Sequence, residues 1–508
     1  MSFLDAIRLI RRISRLRLPV GAQSTLAPEP PEAIAPAPGR GSGRSASATR
    51  CARPSGAGRF VLWPQADPAA WRARRWANRW GAAIAVAALV GFFVYLAARI
   101  DRSAAIPWRG DFGVHYRAGQ DMAARRPLYY LDYGVEETFK GPPVEALALT
   151  AIAALPPRAA RLAWYLTDLA LLGVIFALAY RTLYPDGRWT APRGWLALAT
   201  FAITSSYIMN QMTAGQTTTL WVVLSMLACR LHSRSQGARA GAALAAAVCV
   251  KLVPCCFLPY LVGRGRRVRT ALAFAGVVAA LVLLPAAWVG WDANCRLLAD
   301  WLHNLSGTLA PKMFSQLRNQ SLHAVLFRFL SPTRHGIELA RLDLNAVYHI
   351  ATIVSCLAGA ALYGWMVWAY RADKPERRDA TILALLLIFM NACNPLGWRQ
   401  NCVALVFPYF LALDAIVRYP RRRGLLVALF VPAALLVQLR GELEPYPALL
   451  ALQVVGGRFW ANLLLAGSAL VAHDAANQPA AIRLADLPER DERADVARQP
   501  AFERRSAA

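Results

Sequence analysis

Four groups of polar residues interrupt an otherwise apolar sequence, and their side chains suit proton transfer and phosphate binding. Asp111 is a carboxylate that can accept a proton from a hydroxyl group. Lys251, His323 and Arg328 can offer positive charge or hydrogen bonds to a phosphate. A base and phosphate-binding groups, if brought together, would serve the transfer of a group from a phosphate to a hydroxyl.

The four groups follow one another along the chain between residues 110 and 328. They are Gly110-Asp111-Phe112 with Tyr116, Arg125-Arg126-Pro127-Leu128-Tyr129 and Phe139 to Pro143; Asn210-Gln211 with Gly215-Gln216; Lys251-Leu252 with Pro254; and Asn319-Gln320-Ser321-Leu322 with His323 and Arg328.

Each candidate has a plainer interpretation. Asp111 alone can be a solvated loop acid, and His323 a solvated loop histidine. A cation near the middle of a membrane costs ~2.5–3.5 kcal/mol on insertion scales, so Lys251 must meet a polar partner unless it snorkels to the surface. Asn210 and Gln216 can simply cap or bridge helices. Asp168, within an apolar stretch, can line the same cavity or pair with an arginine.

The background that must position these groups is apolar. Of the 508 residues, 56% are hydrophobic and 17% are charged, whereas about a quarter of the residues are charged in soluble proteins. Gly81–Ala98, Thr270–Trp291 and Ala346–Tyr370 contain no Asp, Glu, Lys or Arg and approach or exceed the ~20 residues that cross a bilayer. The sequence predicts an all-α, polytopic helix bundle of ten to thirteen apolar segments.

Arginine-rich connections predict the orientation of this bundle. They lie at 72–79, 264–269, 371–378 and 418–423, and short basic loops stay on the cytoplasmic side. The net charge of +27 is therefore an orientation signal, not a nucleic-acid signal. We predict a disordered cytoplasmic extension at 1–70, a membrane domain at 71–472 with external loops near 99–142 and 292–345, and a disordered cytoplasmic tail at 473–508.

Two apolar stretches between residues 143 and 262 do not fit a simple span. Val144–Leu155 is short, and Gly241–Leu261 has Lys251 and Pro254 at its midpoint. One of the two is expected to be a pair of half-helices or a re-entrant element. The nine cysteines show no metal-ligand spacing, and no nucleotide-binding loop is visible, so no cofactor is expected.

In order and spacing, the polar groups resemble glycosyltransferase family 87, membrane enzymes of the GT-C superfamily. The resemblance covers about residues 80–415. The matching elements are Asp111, Tyr116-x-Ala118, Pro127-Leu128-Tyr129, Phe139 to Pro143, Gly215-Gln216, Lys251 to Pro254, Gln320 to Leu322, and Asn394-Pro395-Leu396-Gly397-Trp398.

The chain departs from the family pattern in three places. Gly141 stands where the family has a tyrosine before the two prolines, and Arg126 where it has a glycine. After Trp398 the usual histidine is missing, and Arg399, Gln400 and Asn401 follow instead. These departures bear on the acceptor contacts more than on the core chemistry.

The resemblance implies inverting transfer of a hexose, with mannose expected, from a polyprenyl-phosphate donor to an extracytoplasmic lipid or glycan acceptor at the plasma membrane. Asp111 would be the general base; Lys251, His323 and Arg328 would bind the donor phosphate; Tyr116, Tyr129, Gln216, Gln320 and Trp398 would bind substrate. The alternatives are a lipid or polyol transporter or flippase, which predicts inverted repeats not evident here, and a catalytically degenerate relative.

Overall fold

The computed structural model describes residues 68–103, 110–129, 139–188, 190–263, 267–308, 314, 316–333, 335–372, 375–439 and 446–477. The predicted N-terminal extension therefore lies outside the described residues except for 68–70, which are helical. The predicted C-terminal tail lies outside them from residue 478 onward. The last helix continues to Asn477, beyond the expected end of the membrane domain at 472.

The described chain is built from helices and contains no strand, which confirms the all-α expectation. The helices are α1 Pro68–Ser103, α2 Gly110–Ala123, α3 Pro143–Ala153, α4 Pro157–Leu183, α5 Ala191–Ala214, α6 Thr218–Ser233, α7 Gly237–Val250, α8 Leu258–Val262, α9 Arg267–Leu283, α10 Ala286–Val289, α11 Trp291–Thr308, α12 Leu322–Leu330, α13 Leu344–Ala372, α14 Pro375–Cys393, α15 Val406–Arg418, α16 Arg423–Leu436, α17 Pro447–Val454 and α18 Gly457–Asn477. Short 3₁₀ helices cover Val253–Phe257, Arg399–Leu405 and Pro420–Arg422.

Five of the described helical segments are long and apolar enough to cross a membrane: Ala83–Asp101, Pro157–Leu183, Arg267–Val289, Leu344–Tyr370 and Arg399–Arg418. A sixth span results if α17 and α18, which meet at 64°, are counted as one broken helix. Other apolar helices, among them α3 and α7, are shorter than a span. Fewer segments thus satisfy the length requirement than the ten to thirteen apolar stretches of the sequence, because several stretches are short or interrupted.

The break expected in one of the stretches 144–155 and 241–261 lies in the second. α7 ends at Val250, Lys251 has extended backbone angles (φ −155°, ψ 134°), and a 3₁₀ turn then leads into α8. Pro254 has no N–H to continue an α-helix, which accounts for the turn that follows. The interruption places Lys251 between two short helical pieces.

The centre of the bundle is formed by the segment that carries Arg399–Arg418. In the apolar part of this segment 78% of the residues are buried, whereas only 6% are buried in Arg267–Val289, which lies on the outside of the bundle. α15 packs on α5, α16 and α18, and α14 packs on α18. The 3₁₀ helix Arg399–Leu405 leads into α15, so its residues lie deep in the fold.

Two short helices outside the candidate spans, α2 and α3, pack closely against each other. Gly119 of α2 makes this approach possible, because a Cβ atom there would lie 2.6 Å from the carbonyl oxygen of Leu149 in α3. The aromatic residues Tyr129 and Phe139 complete this small core. α2 and α3 bring three titratable side chains, Asp111, His115 and Glu145, to the same end of the bundle.

Candidate active site

Asp111 lies in the first turn of α2. Gly110 opens the helix with a left-handed backbone angle (φ 77°) that glycine adopts without strain. The free N–H groups and the positive end of the helix dipole stabilise a carboxylate at this position. The Asp111 side chain is half-buried, and its Oδ2 atom is 3.5 Å from Nε2 of Gln400.

Lys251 projects from the break after α7 toward the same 3₁₀ helix. Its Nζ donates a hydrogen bond of 3.2 Å to Oδ1 of Asn401. The carboxyl groups of Asp111 and Glu145 and the ammonium of Lys140 lie within electrostatic reach of Lys251. The candidate base and the candidate phosphate ligand are therefore close neighbours, although 140 positions separate 111 from 251 in the sequence.

The two candidates are joined through consecutive residues. Gln400 contacts Asp111, and Asn401 contacts Lys251. Asn401 is itself held in place, since its Nδ2 donates to the carbonyl oxygen of Leu396 (2.9 Å) and its N–H donates to the carbonyl oxygen of Trp398 (3.0 Å). The residues that depart from the family pattern after Trp398 are thus the ones that connect the site.

Two further titratable residues belong to this site and were missed in the sequence: His115 and Glu145. Nδ1 of His115 is 3.6 Å from Oε1 of Glu145, and the imidazole stacks on Trp164. Burial lowers the pKa of His115 to about 4, while the charge of Asp111 raises it and that of Lys251 lowers it.

Burial raises the pKa of Glu145 to about 8, against the lowering effects of Lys251 and of a hydrogen bond with Thr217. The carboxyl is therefore protonated at neutral pH. A signal for both residues existed, since His115 is one helical turn after Asp111 and Glu145 closely follows the two prolines, but only the packing of α2 on α3 buries them.

The segment 139–141 is fixed by side chains that bind its backbone. The Tyr129 hydroxyl donates to the carbonyl oxygen of Gly141 (2.9 Å), Trp301 Nε1 to that of Lys140 (3.1 Å), and Asn304 Nδ2 to that of Phe139 (2.8 Å). This segment leads directly to Glu145. Tyr129, expected to bind substrate, thus supports the wall of the site with its hydroxyl.

Tyr116 has a comparable position on α2. Its hydroxyl donates to the carbonyl oxygen of Leu155 (2.7 Å), and its ring stacks on Phe112. Asp121, further along the same helix and the next available carboxylate, is buried in an ion pair of 2.6 Å with Arg126. Arg126 is one of the departures from the family pattern. Its ion pair with Asp121 engages the carboxylate that could otherwise act as a base in place of Asp111.

Gly215 and Arg161 fix the turn between α5 and α6, where Gln216 is found. Gly215 has φ 73°, and a Cβ atom there would lie 2.1 Å from a guanidinium nitrogen of Arg161, so glycine is required for two reasons. Arg161 hydrogen-bonds the carbonyl oxygen of Thr213 and stacks on Phe112, within electrostatic reach of Asp111. The carbonyl oxygen of Gln216 accepts a hydrogen bond from the Gln211 amide.

Asp168 of α4 belongs to the same neighbourhood as this turn. Its Oδ1 accepts a hydrogen bond from the Thr219 hydroxyl (2.5 Å), and it lies within electrostatic reach of Arg161. The residue left unassigned from the sequence therefore supports the turn that carries Gln216.

A second cluster is centred on Asn319 and Ser321, before α12. Asn319 Oδ1 accepts hydrogen bonds from the N–H groups of Ser321 (3.2 Å) and Gly397 (2.9 Å), and its Nδ2 donates to the carbonyl oxygen of Pro395 (2.8 Å). Ser321 caps α12 and also donates to Pro395. A Cβ atom on Gly397 would lie 2.8 Å from the Ser321 nitrogen, so the two segments are in direct contact.

Gln320 and Arg328 of this cluster bind backbone carbonyls. Gln320 Nε2 donates to Leu317 (2.8 Å) and Gln453 (2.9 Å). Arg328 is fully buried and donates to Val454 (2.8 Å), Asn319 (2.9 Å) and Gln316 (3.4 Å). Burial lowers the pKa of Arg328 to about 10, and the charge of Arg458 contributes.

His323 is buried as well, not solvated. Its ring packs beside those of Phe314 and Tyr348, with 6.0 Å between ring centres in each case, and burial lowers its pKa to about 4. Among the described residues, no contact joins His323 or Arg328 directly to Asp111 or Lys251. The structure therefore brings Asp111 and Lys251 together and places the other two phosphate candidates in a separate cluster, whose link to the site is the turn at 395–398.

The described residues contain no group of three His, Cys, Asp or Glu side chains arranged to hold a metal ion. The chemistry available at the site consists of a carboxylate on a helix N-terminus, a protonated carboxyl, a neutral imidazole and an ammonium group. This set can remove a proton at one point and bind an anion at another.

Comparison with known proteins identifies the family of the chain. The model of glycosyltransferase family 87 matches residues 139–395, just over half of the 508-residue chain. Searches of curated proteins and of solved structures returned no match. The matched region includes the 139–143 segment, Lys251 and the Asn319–Ser321 cluster, with Asp111 before it and Trp398 after it. The chain belongs to glycosyltransferase family 87.

Proposed function

We propose that this glycosyltransferase moves a hexose, with mannose the expected sugar, from a polyprenyl-phosphate donor to a lipid or glycan acceptor on the extracytoplasmic side of the plasma membrane. The observation that carries the proposal is the meeting of Asp111 and Lys251 across the 3₁₀ helix Arg399–Leu405. A base and a cation a short distance apart correspond to the two ends of a displacement at a sugar carbon.

In the proposed step, the acceptor hydroxyl attacks the anomeric carbon and gives its proton to the Asp111 carboxylate. The bond between that carbon and the phosphate oxygen breaks, and its electron pair stays with the phosphate. A single displacement of this kind inverts the anomeric configuration. General-base assistance contributes about 10²–10⁴-fold to such reactions.

Lys251 receives the departing phosphate in this scheme. The phosphate gains negative charge as the bond breaks, and an ammonium fixed by Asn401 stabilises this charge more in the transition state than in the ground state. Such a preorganised cation needs little rearrangement during the reaction, because the break after α7 already directs it into the site.

The roles expected for the remaining residues stay predictions with stated requirements. His323 would have to bind a phosphate as a neutral hydrogen-bond donor, and Arg328 would have to do so while holding three backbone carbonyls. Tyr116, Tyr129 and Gln320 would contact substrate through ring or amide surfaces not engaged with the backbone. Trp398 and Gln216 flank the site through the turns that carry them.

The proposal is tested with the purified full-length chain, a radiolabelled polyprenyl-phosphate mannose and a membrane lipid extract as acceptor source. Mass spectrometry should find a product that is one hexose heavier than its acceptor, with the released lipid being a polyprenyl phosphate. Polyprenyl-phosphate glucose and GDP-mannose serve as comparison donors. Transfer from GDP-mannose but from neither lipid donor would overturn the lipid-donor assignment, and absence of transfer with movement of lipid between leaflets would favour a flippase.

A further inference from the structure

Glu145 is a buried carboxyl group in the site, and it forms no ion pair with Lys251. It lies in the first turn of α3 and is 8% exposed. Its Oε1 atom has no hydrogen-bond partner among the described residues, and Nδ1 of His115, 3.6 Å away, has none either. A buried carboxyl with an unused oxygen costs free energy unless something else binds it.

The space for this carboxyl comes from Gly141. A Cβ atom on residue 141 would lie 1.8 Å from Oε2 of Glu145 and 2.7 Å from the Phe139 ring. Any side chain at this position, including the tyrosine of the family pattern, would therefore have to displace Glu145. The absence of a side chain at 141 and the presence of a carboxyl at 145 are two parts of one local arrangement.

The groups that face Glu145 come from each element around it. α2 contributes His115, the turn before α6 contributes Thr217, and the end of α7 contributes Lys251. Asp111 and Lys140 lie within electrostatic reach of Lys251. Lys251 is thus shared by two carboxyls. Where the environment separates two neighbouring carboxyls into a charged and a protonated one, the pair can act as base and acid.

We propose that Glu145 carries a proton in the resting site and donates a hydrogen bond, beside Lys251, to the oxygen of the departing phosphate. This inference rests on the proposed function, since it assigns Glu145 to the leaving-group side of the same reaction. Asp111 takes the acceptor's proton, and Glu145 keeps its own proton while sharing it with the phosphate. A charged Glu145 would instead repel that phosphate.

The proposal predicts how activity depends on pH. Burial raises the pKa of Glu145 to about 8, so its carboxyl can donate a hydrogen bond below this pH and loses that proton above it. The wild-type kcat/KM should be flat from neutral pH to about pH 8 and decline beyond it. Glu145→Gln retains a neutral donor, so its activity should remain within about tenfold of wild type and lack this decline. Glu145→Ala should lose roughly 10²–10³-fold at every pH.

Binding of polyprenyl phosphate, the expected product, supplies a readout independent of turnover. Its affinity for the wild-type chain should weaken above about pH 8, and its affinity for Glu145→Gln should not. If the wild-type chain binds polyprenyl phosphate with this pH dependence but transfers no sugar, the proposed function is overturned, while the hydrogen bond from Glu145 to the phosphate stands. Normal transfer together with an unchanged alkaline decline in Glu145→Gln, or wild-type turnover in Glu145→Ala, would overturn the role of Glu145 alone.

Gly141→Ala tests the same arrangement from the other side, with Gly364→Ala as its control. Gly364 lies on the exposed surface of α13 and a Cβ atom there meets nothing within 4 Å. Gly141→Ala should shift the pH of the alkaline decline while the protein stays folded in a thermal melt, and Gly364→Ala should leave the pH profile unchanged. A wild-type profile in Gly141→Ala would contradict the link between Gly141 and Glu145.

Discussion

Oδ1 of Asn319 accepts a hydrogen bond of 2.9 Å from the backbone N–H of Gly397. This contact ties the segment before α12 to the turn that leads into the 3₁₀ helix Arg399–Leu405. The 3₁₀ helix in turn supplies Gln400 to Asp111 and Asn401 to Lys251. The Asn319 cluster therefore acts on the site from a distance, by fixing the turn that positions both contacts.

Asn319→Ala should lower stability and activity together. The change removes two acceptor contacts and one donor contact from a fully buried position, which costs roughly 1–3 kcal/mol. A thermal melt in detergent and a transfer assay measure the two effects. Asn345→Ala, at an exposed position in the first turn of α13, is the matched control and should change neither. Wild-type activity in Asn319→Ala would show that the turn holds its position without this contact.

Asp111→Asn should abolish most turnover while leaving the fold intact. The amide has the same shape but cannot accept the acceptor's proton, so kcat should fall by about 10²–10⁴. Donor binding should change little, because Lys251 is untouched. Retained turnover in a well-folded Asp111→Asn protein would place the base elsewhere, and Asp121 would then have to leave its ion pair with Arg126 to serve.

The fold follows from the sequence because hydrocarbon leaves few alternatives. A run without charged residues such as Thr270–Trp291 must satisfy its backbone internally, and a helix does so. A break in one of the two stretches 144–155 and 241–261 was predicted from the sequence, and Lys251 with Pro254 made the second a candidate, because a lysine and a proline are both costly in an apolar helix. The number of spans could not be predicted, because the sequence of an apolar stretch such as Val144–Leu155 does not show how much of it becomes helix.

The site was readable only in part. Lys251 stands out because a cation within an apolar stretch is costly, and Asp111 stands out through the family resemblance. The structure brings the two residues together. His115 and Glu145 have only their positions as a signal, one helical turn after Asp111 and just after two prolines, because their burial arises only when α2 packs on α3. Gln320 was expected to bind substrate, but its amide holds carbonyls of Leu317 and Gln453. Sequence order cannot distinguish an amide that binds backbone from one that binds a ligand.

Lys251→Met and Arg328→Met should have opposite effects although each replaces a cation by methionine. Lys251 meets one amide oxygen, so its removal should leave the melting temperature unchanged or raised while donor binding and transfer are lost. Arg328→Met removes three hydrogen bonds that a fully buried side chain donates to backbone carbonyls, so the protein should melt earlier. Thermal melts and donor-binding assays on both variants make the comparison. An early-melting Lys251→Met that transfers normally would show that Lys251 is structural.

The orientation predicted from the arginine clusters can be measured by thiol labelling of intact spheroplasts. Ala124, exposed after α2, and Gly424, exposed at the start of α16, offer open positions at the two predicted faces. In a chain with its native cysteines replaced, Ala124→Cys should react with an impermeant reagent and Gly424→Cys should react only after lysis. The reverse pattern would place the site of Asp111 on the cytoplasmic face and contradict an extracytoplasmic acceptor.

The buried imidazole of His323 should make the protein less stable as the pH falls. Burial lowers its pKa to about 4, whereas the imidazole of an unfolded chain titrates near 6.5. Between these values the unfolded state binds a proton that the folded state does not, so acid favours unfolding. The stabilising contribution is fully present above about pH 6.5 and is lost as the pH falls to about 4, with a magnitude on the order of 2–3 kcal/mol.

Thermal melts of wild type and His323→Gln between about pH 7 and pH 4.5 isolate this contribution. His115 acts in the same direction, and Glu145, with its pKa of about 8, acts in the opposite one, but both are present in the two proteins. The melting temperature of His323→Gln should therefore fall less steeply with acid than that of wild type. His303→Gln, which changes an exposed histidine on α11, should keep the wild-type slope. Parallel slopes in wild type and His323→Gln would mean that folding leaves the pKa of His323 unchanged, which would contradict an imidazole kept neutral by burial.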